Sequence, residues 1–350
     1  MKKEHILIIR FSAMGDVAMT VPVVYSLATQ YPDVRITVLS RKFARPFFEN
    51  LAPNVDFMEA DLKGEYRGVK GLNALYRRLT AKKFTKIADL HNVLRSDYLR
   101  MRFNISRYRV EHISKNRKQR RALVAKNNKV LQPLPTPFER YAEVFAKLGY
   151  PVKLDFRSLF PPEGGDLNLL PATIGQKKEG EQWIGIAPTA AHPGKCYPAE
   201  QMQKVVKGLI ENHPQARLFL FGRGQDEDNL FNAWCATYPQ CVYVSQHLEN
   251  LHQELILMSH LNVMLSMDSA NMHLASLTAT PVVSIWGATH PYAGFMGWQQ
   301  SAENAIQTEL DCRPCSIYGN RLCHRGDMAC MNKIQPEQII EKIEHIINNP

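Results

Sequence analysis

Apolar runs of strand length recur along the chain, and segments of helix length separate them. In 263–291, two such runs enclose a polar turn at Asp268 to Asn271 and a helix predicted from about Met272. This pattern predicts parallel βαβ units, whose strands are covered by helices. The Asp268 turn is then expected at the carboxyl end of a strand, the edge where open α/β sheets bind ligands.

The same alternation begins at the N-terminus and resumes in the second half. A strand is predicted at 5–10, a helix at 17–31 and a strand at 35–39. The other predicted elements are strands at 86–90, 183–187, 216–221 and 241–244, and helices at 138–148, at 199–212, from 226 and at 336–347. The alternation predicts an α/β protein with two Rossmann-like, doubly wound parallel sheets.

The stretch 151–181 is rich in Pro, Gly and Lys and weak in periodicity, which is typical of a linker. The predicted organisation is an N-terminal domain at 1–165, a linker at 166–182, a C-terminal domain at 183–335 and a final helix in 336–350 that could pack back on the N-terminal domain.

The composition indicates a soluble globular protein, with 45% hydrophobic and 22% charged residues. No run reaches the roughly 18 consecutive apolar residues that span a bilayer. The N-terminus imitates a secretory signal, but Arg10 and Asp16 interrupt its apolar region. A cytoplasmic protein is therefore expected.

The net charge of +10 is concentrated in one segment. Arg95 to Lys129 contains twelve Lys or Arg residues against two acids, Asp97 and Glu111. A basic segment can attract nucleic acid, anionic lipid headgroups or a phosphorylated substrate. The alternative is a solvated basic surface with no specific partner.

Two loops after predicted strands carry candidate chemistry. In the loop after the first strand, Gly15 allows close approach of a ligand, and Asp16 could act as a general base or simply cap the next helix. This loop lacks the three spaced glycines of a dinucleotide fold. After the strand at 183–187, Thr189 and Lys195 suit a diphosphate, although Lys195 could equally be a surface lysine outside any Walker motif.

Two further turns also place polar side chains between a predicted strand and a helix. Asp226 and Glu227 could accept a ribose hydroxyl or only complement a helix dipole. Asp268 and Ser269 precede a helix whose amides suit a phosphate, and they could also be its N-cap.

Four of the seven cysteines cluster near the C-terminus, at Cys312, Cys315, Cys323 and Cys330. In a reducing compartment such a cluster indicates a metal site before disulfides. The gaps are not a standard zinc-knuckle spacing, so structural zinc and reduced, packed thiols are both kept as alternatives.

Four motifs in order resemble the bacterial lipopolysaccharide heptosyltransferase family, the ADP-heptose-dependent transferases of the GT-B fold. The matching segments are Ser12 to Val17, the IADLHNVLRS segment at 87–96, Met267 to Ala275, and Gly287 to Pro291. The resemblance runs from Ile6 to about Ile340 and implies two Rossmann-like domains facing a cleft.

The resemblance also implies an inverting glycosyl transfer. Asp16 would be the catalytic base, and Lys195 would neutralise the leaving diphosphate. The donor-binding residues implied are Ser12, Gly15, Thr189, Lys195, Asp226, Glu227, Asp268, Ser269, Ala270 and His273, and the acceptor-binding residues are Arg10, Arg95, Arg120 and Arg121. No metal or other cofactor is implied for the transfer. The implied partners are a nucleotide-sugar donor and a lipid-linked acidic saccharide at the inner face of the cytoplasmic membrane, and no nucleic acid is expected.

Departures from the family pattern affect which nucleotide sugar is expected as the donor. Thr189-Ala190 replaces paired threonines, and Ser269-Ala270 replaces Thr-Gly at the phosphate turn, so a nucleotide sugar other than ADP-heptose also fits. Two alternatives remain: a non-catalytic protein that binds anionic lipid or nucleic acid through 95–129, and a nucleotide-sugar epimerase or hydrolase of the same build.

Overall fold

The computed structural model describes residues 4–349, and the chain forms two compact units. The first unit comprises the described residues up to Asn116 together with Pro135–Leu159. The second comprises Arg117–Leu134 and the described residues from Phe160. The chain therefore enters the second unit, returns, and enters it again, whereas the sequence predicts a single division. The predicted linker, 166–182, lies within the second unit.

The first unit is a five-stranded parallel sheet covered by helices. Its elements in chain order are β1 (His5–Ile9), α1 (Met14–Ala18), α2 (Val21–Gln30), β2 (Arg35–Ser40), α3 (Arg45–Phe48), β3 (Val55–Glu59), α4 (Gly68–Thr80), β4 (Lys86–Asp89), α5 (Leu94–Ile105) and β5 (Arg109–His112). The second unit then contributes α6 (Arg117–Leu123), and the first unit continues with α7 (Pro137–Lys147).

The strand order of the first sheet is β3-β2-β1-β4-β5, with every pair parallel. β1 is fully buried because it lies in the middle of the sheet, with helices on both faces. Leu72 and Leu75 of α4 and Leu99 and Phe103 of α5 pack into its core. The chain reverses direction across the sheet between β1 and β4, and this switch point is where such folds bind ligands.

The second unit has a six-stranded parallel sheet. Its elements from Phe160 onward are β6 (Trp183–Ala187), α8 (Ala199–Asn212), β7 (Arg217–Leu220), α9 (Gln225–Thr237), β8 (Cys241–Tyr243), α10 (Leu251–Met258), β9 (Val263–Met267), α11 (Ala270–Leu277), β10 (Val282–Trp286), β11 (Ala305–Gln307), α12 (Ala329–Asn332) and α13 (Pro336–Asn348). The strand order is β11-β10-β9-β6-β7-β8, so the switch point lies between β6 and β9.

The predicted class of two parallel-sheet α/β domains is confirmed, with differences in detail. The predicted helix at 17–31 is two helices, α1 and α2, because the chain turns at Met19 and Thr20, and Pro22 lies in the first turn of the second helix. The last helix, α13, packs within the second unit, where Ile339 and Ile343 join the core. Among residues 4–349, none of the helices combines the length and the apolar character that crossing a bilayer requires.

Candidate functional site

Asp16 lies at the switch point of the first sheet, just after β1. It occupies the first turn of α1, and its Oδ2 accepts the backbone N–H of Ala13 at 3.2 Å. Gly15 beside it is buried, and the Asp16 side chain is 34% exposed. Asp16 is therefore not the N-cap of α1, which is Ala13, but its side chain accepts the N–H of that residue and is still open to solvent.

Arg10 fixes the direction of this carboxylate. Its Nη2 lies 2.8 Å from Asp16 Oδ2, and its Nη1 donates to the carbonyl oxygen of Leu90 at 2.6 Å. The Arg10 side chain is buried, so the pair is a charge-assisted contact with little competition from water. Arg10, which was predicted to contact the acceptor, thus contacts the candidate base.

The loop after β4 is held by a buried carboxylate that is not among the predicted site residues. Asp89 is fully buried and accepts the backbone N–H groups of His91 and Asn92, each at 2.9 Å. Arg100 of α5 donates to its other oxygen at 3.2 Å. An acid at the end of a short strand, just before polar residues, was the available signal in the sequence. This network positions the loop beside Asp16.

His91 faces the Asp16 loop from the end of β4. Its Nε2 lies 3.4 Å from Ser12 Oγ, and its ring contacts the edge of Phe11 with 5.9 Å between centroids. Burial, and then the charge of Arg10, lower the pKa of His91 to about 3. The imidazole is therefore neutral at physiological pH. The switch point of the first unit combines Arg10, Ser12, Asp16 and His91.

In the second unit, Lys195 and Asp268 form an ion pair across the switch point. Lys195 follows β6, Asp268 follows β9, and Nζ lies 2.9 Å from Oδ2. The side chains are 15% and 4% exposed. The Asp268 carboxylate therefore binds Lys195. It is not the N-cap of the following helix, which was the alternative that the sequence left open.

The N-terminus of α11 begins beside this pair. Ser269 is the N-cap residue, but its side chain makes no capping hydrogen bond; its Oγ lies 3.2 Å from Ser266 Oγ. The helix starts at Ala270, and His273 in its first turns is buried. Amides at a helix start with no side-chain cap suit an anion, and Lys195 nearby adds positive charge.

Other predicted donor residues lie in neighbouring loops of the same sheet edge. Thr189 is half-buried in the loop between β6 and Lys195. Asp226 and Glu227 occupy the first turn of α9, after β7, which pairs with β6. At this position their negative charge complements the dipole of α9, and the carboxylates could also accept a hydrogen bond from a ribose hydroxyl. Both interpretations of these two residues therefore remain.

Arg313 organises the loop after β10 and is not among the predicted site residues. It is buried, and its guanidinium donates to the carbonyl oxygens of Trp286, Gly287 and Thr289 at 3.1, 2.5 and 3.0 Å. The backbone N–H of Ala288 in turn donates to Gly194 at 2.8 Å, next to Lys195. No spacing in the sequence distinguishes this arginine from a surface one.

The four C-terminal cysteines line one small cavity as free thiols. Burial raises the pKa of Cys330 to about 11 and also raises that of Cys315. Burial acts in the same direction on Cys323, but backbone hydrogen bonds outweigh it and lower the pKa of that thiol. In the described part of the chain, no three His, Cys, Asp or Glu side chains are arranged to hold a metal ion. The suggested structural zinc therefore has no ligand set there.

The predicted acceptor arginines are separated between the two units. Arg95 is exposed on α5 of the first unit, and Arg120 and Arg121 lie on α6 of the second. Arg120 donates to the hydroxyl of Tyr318 at 2.6 Å and lies over the ring of Phe295. Arg121 is exposed, whereas Arg120 is engaged in packing.

Comparison with known proteins agrees with this architecture. A curated relative, lipopolysaccharide heptosyltransferase 3 of Escherichia coli, is 24% identical over 303 residues, which cover 84% of this chain and 85% of the relative. The structure of E. coli ADP-heptose lipopolysaccharide heptosyltransferase II superimposes with a TM-score of 0.70 at 19% identity, covering 98% of each chain. That of E. coli heptosyltransferase WaaC with ADP has a TM-score of 0.65 at 15% identity, covering 98% of this chain and 99% of the other.

These structural likenesses confirm the GT-B fold class. The family model of glycosyltransferase family 9 (heptosyltransferase) matches residues 72–324, a region that contains His91, Lys195 and Asp268 but begins after Asp16. A non-catalytic binding protein is therefore the wrong alternative. Because the matched region is well over half of the chain and carries the ion pair of the second switch point, this protein belongs to glycosyltransferase family 9 and is a glycosyltransferase.

Proposed function

We propose that this protein transfers heptose from ADP-heptose, or a related sugar from another nucleoside diphosphate, to the anionic inner core of lipopolysaccharide. The proposal is supported by the family and by relatives whose names specify lipopolysaccharide and ADP-heptose. The observation that carries it is the Arg10–Asp16 pair, since it directs a reachable carboxylate at the ligand-binding edge of the first sheet.

Asp16 is the general base of the proposed reaction. Its carboxylate takes the proton of an acceptor hydroxyl while that oxygen bonds to the anomeric carbon of the donor sugar. The bond from the anomeric carbon to the diphosphate oxygen breaks on the opposite face, so the configuration inverts. The nucleoside diphosphate leaves with the bonding electron pair.

Lys195 and the start of α11 stabilise the leaving group. The ammonium group and the backbone amides after Ser269 supply positive charge where the diphosphate gains negative charge. Asp268 holds Lys195 in place before the donor binds. This arrangement supplies the charge stabilisation without requiring a metal ion.

The exposed basic side chains support the proposed acceptor and, through it, the proposed cellular location. The exposed Arg95 and Arg121 suit the phosphates of a lipid-linked acidic saccharide. Such an acceptor and a nucleotide-sugar donor meet at the inner face of the cytoplasmic membrane, where we propose that the protein acts as a peripheral enzyme.

The first test replaces the proposed base. Asp16→Asn keeps the shape of the side chain but removes the proton acceptor, so transfer of heptose to a purified lipopolysaccharide core should fall by about a thousandfold, within the range for loss of a general base. Binding of ADP, measured by calorimetry, should change little. The matched control is Asp33→Asn, which makes the same change at an exposed aspartate of the same unit.

Transfer that survives in Asp16→Asn would exclude this residue as the base. Nucleotide-sugar turnover that does not depend on an acceptor would contradict the proposed transfer. A thermal-shift comparison of ADP, GDP, UDP and CMP identifies the donor class, and we expect ADP to stabilise the protein most.

A further inference from the structure

Helix α5 is apolar on its outer face as well as its inner face. The inner side chains, Leu99 and Phe103, are fully buried. On the opposite side, Leu94, Met101 and Ile105 are 88, 48 and 71% exposed. Their spacing of seven and four residues places them along one face of the helix. A helix on the surface of a globular protein normally presents polar side chains there, so this face is suited to a partner.

The neighbouring helix α4 extends this face. Asn73 of α4 accepts hydrogen bonds from Tyr98 and Arg102 of α5, and Tyr76 contacts the ring of Phe103 with 5.1 Å between centroids. Val69 lies one turn before Asn73 on the same side of α4 and is 61% exposed. We call Val69, Leu94, Met101 and Ile105 the α4–α5 ridge.

The two helices are strongly basic. Together they contain six Lys or Arg residues and one acid, Asp97. Asp97 is itself paired with Arg100 at 2.9 Å, so its charge is compensated. Lys70 and Arg95 are exposed beside the ridge. An apolar strip flanked by cations is the composition of a helix that lies in the interface of an anionic membrane.

The ridge begins next to the candidate site. Leu94 starts α5 three residues after His91, and Arg100 ties the helix to the buried Asp89 that shapes the same loop. A surface bound along α5 therefore lies beside the sheet edge that carries Asp16. This matters for an enzyme whose acceptor is anchored in lipid.

We propose that the α4–α5 ridge docks on an anionic lipid bilayer, with Leu94, Met101 and Ile105 inserted at the boundary between headgroups and acyl chains and the adjacent cations on the headgroups. The inference rests on the proposed function, because a lipid-linked acceptor gives the docking its purpose. Four side chains are too few for a stable protein interface, which needs about 800 Å² on each partner, whereas shallow insertion needs only such a strip.

The test is sedimentation with vesicles of phosphatidylglycerol and phosphatidylcholine, compared with vesicles of phosphatidylcholine alone. The wild type should bind the anionic vesicles, and binding should weaken with salt. Leu94→Ser/Met101→Ser/Ile105→Ser should reduce this binding at least about tenfold, because three apolar side chains no longer leave water. The matched control removes three exposed apolar side chains of the second unit, as Val130→Ser/Leu169→Ser/Leu322→Ser, and should bind like the wild type.

Two further measurements separate this inference from the proposed function. The triple α5 variant should still bind ADP and glycosylate a delipidated, water-soluble acceptor at the wild-type rate. Wild-type protein that binds vesicles but transfers no sugar would contradict the proposed function alone. If the triple variant is unfolded by circular dichroism, Leu94→Ser alone is used, and it should reduce vesicle binding by about threefold.

Unchanged vesicle binding in a folded α5 variant would overturn the inference. So would a wild-type dimer, detected by sedimentation velocity without lipid, that the α5 substitutions dissociate, since the ridge would then be an interface between two copies of the chain. Lys70→Gln provides an independent check: it should weaken binding to anionic vesicles and leave binding to phosphatidylcholine unchanged.

Discussion

His91 lies beside Ser12 at the first switch point and is neutral at physiological pH. Burial and the charge of Arg10 lower its pKa to about 3, from an ordinary value near 6.5. A neutral imidazole offers a hydrogen-bond donor and an acceptor but no charge. The charge at this site therefore comes from Arg10 and Asp16, and His91 contributes shape and hydrogen bonding.

The lowered pKa of His91 predicts how stability depends on pH. Between about pH 6.5 and pH 3 the unfolded chain binds a proton at this residue and the folded chain does not, so stability is complete above pH 6.5 and falls as the pH is lowered through this window. His91→Gln should remove this loss, which amounts to about 2 kcal/mol between pH 7 and pH 5. Urea unfolding at the two pH values measures it.

His112→Gln is the control for this experiment, because His112 is exposed at the end of β5 in the same sheet. It should lose as much stability on acidification as the wild type. An equally acid-sensitive His91→Gln variant would show that another group causes the loss.

At the scale of elements, the ends of adjacent parallel strands make both candidate sites. β1 and β4 bring Asp16 and His91 together, and β6 and β9 bring Lys195 and Asp268 together. In each case the helix that follows starts at the site, so its amides face the same edge. The Lys195–Asp268 pair therefore acts both as a tie between two loops and as part of the proposed donor site.

Substitutions at this pair should separate the two roles. Lys195→Met leaves the buried Asp268 without its partner and should destabilise the protein by about 3 kcal/mol, besides weakening ADP binding. Lys195→Met/Asp268→Asn removes the unpaired charge, so most of the stability should return while ADP binding stays weak. Thermal unfolding and calorimetry measure the two quantities.

Lys207→Met is the matched control, since this exposed lysine pairs with the exposed Glu211 on α8. Its stability and its affinity for ADP should both remain within error of the wild-type values. ADP affinity that recovers in the double variant would limit Lys195 to a structural role.

At the scale of the whole molecule, each unit has its own sheet and its own core. Of the proposed donor residues, Ser12 and Gly15 belong to the first unit and the others to the second. Charge is also unevenly placed: the basic segment predicted from Arg95 to Lys129 is divided, and its part from Arg117 onward packs on the second unit. There Lys129 donates to the carbonyl oxygens of Asp311 and Arg313 at 2.9 and 2.8 Å. Part of the basic segment is therefore structural.

ADP binding should accordingly protect the second unit most. At saturating ADP, amide hydrogen exchange in the loops after β6 and β9 should slow by roughly tenfold or more, measured by mass spectrometry of peptic peptides. The same measurement on Lys195→Met, at the same ADP concentration, should show little protection. Protection centred on the loops after β1 and β4 would contradict the donor assignment.

The sequence by itself determined the local elements and the identity of the candidate loops. β1, β6, β9 and β10 are compact apolar runs, and the side chains after them were identifiable because strand and helix periodicities are local properties. Weakly patterned elements were missed: β3 and β5 are partly exposed, and α4 and α5 lie between them. The family motifs added residue roles that spacing alone left open.

Only the tertiary structure decided which loops meet. Strand order depends on pairing between distant segments, so neither the Lys195–Asp268 pair nor the contact between Ser12 and His91 could be inferred from periodicity. The same holds for Arg313, three of whose backbone partners lie in a loop more than twenty residues earlier, and for the division of the basic segment between two units. The exposed ridge on α5 is likewise a tertiary property, because an apolar residue in the sequence does not reveal whether the fold covers it.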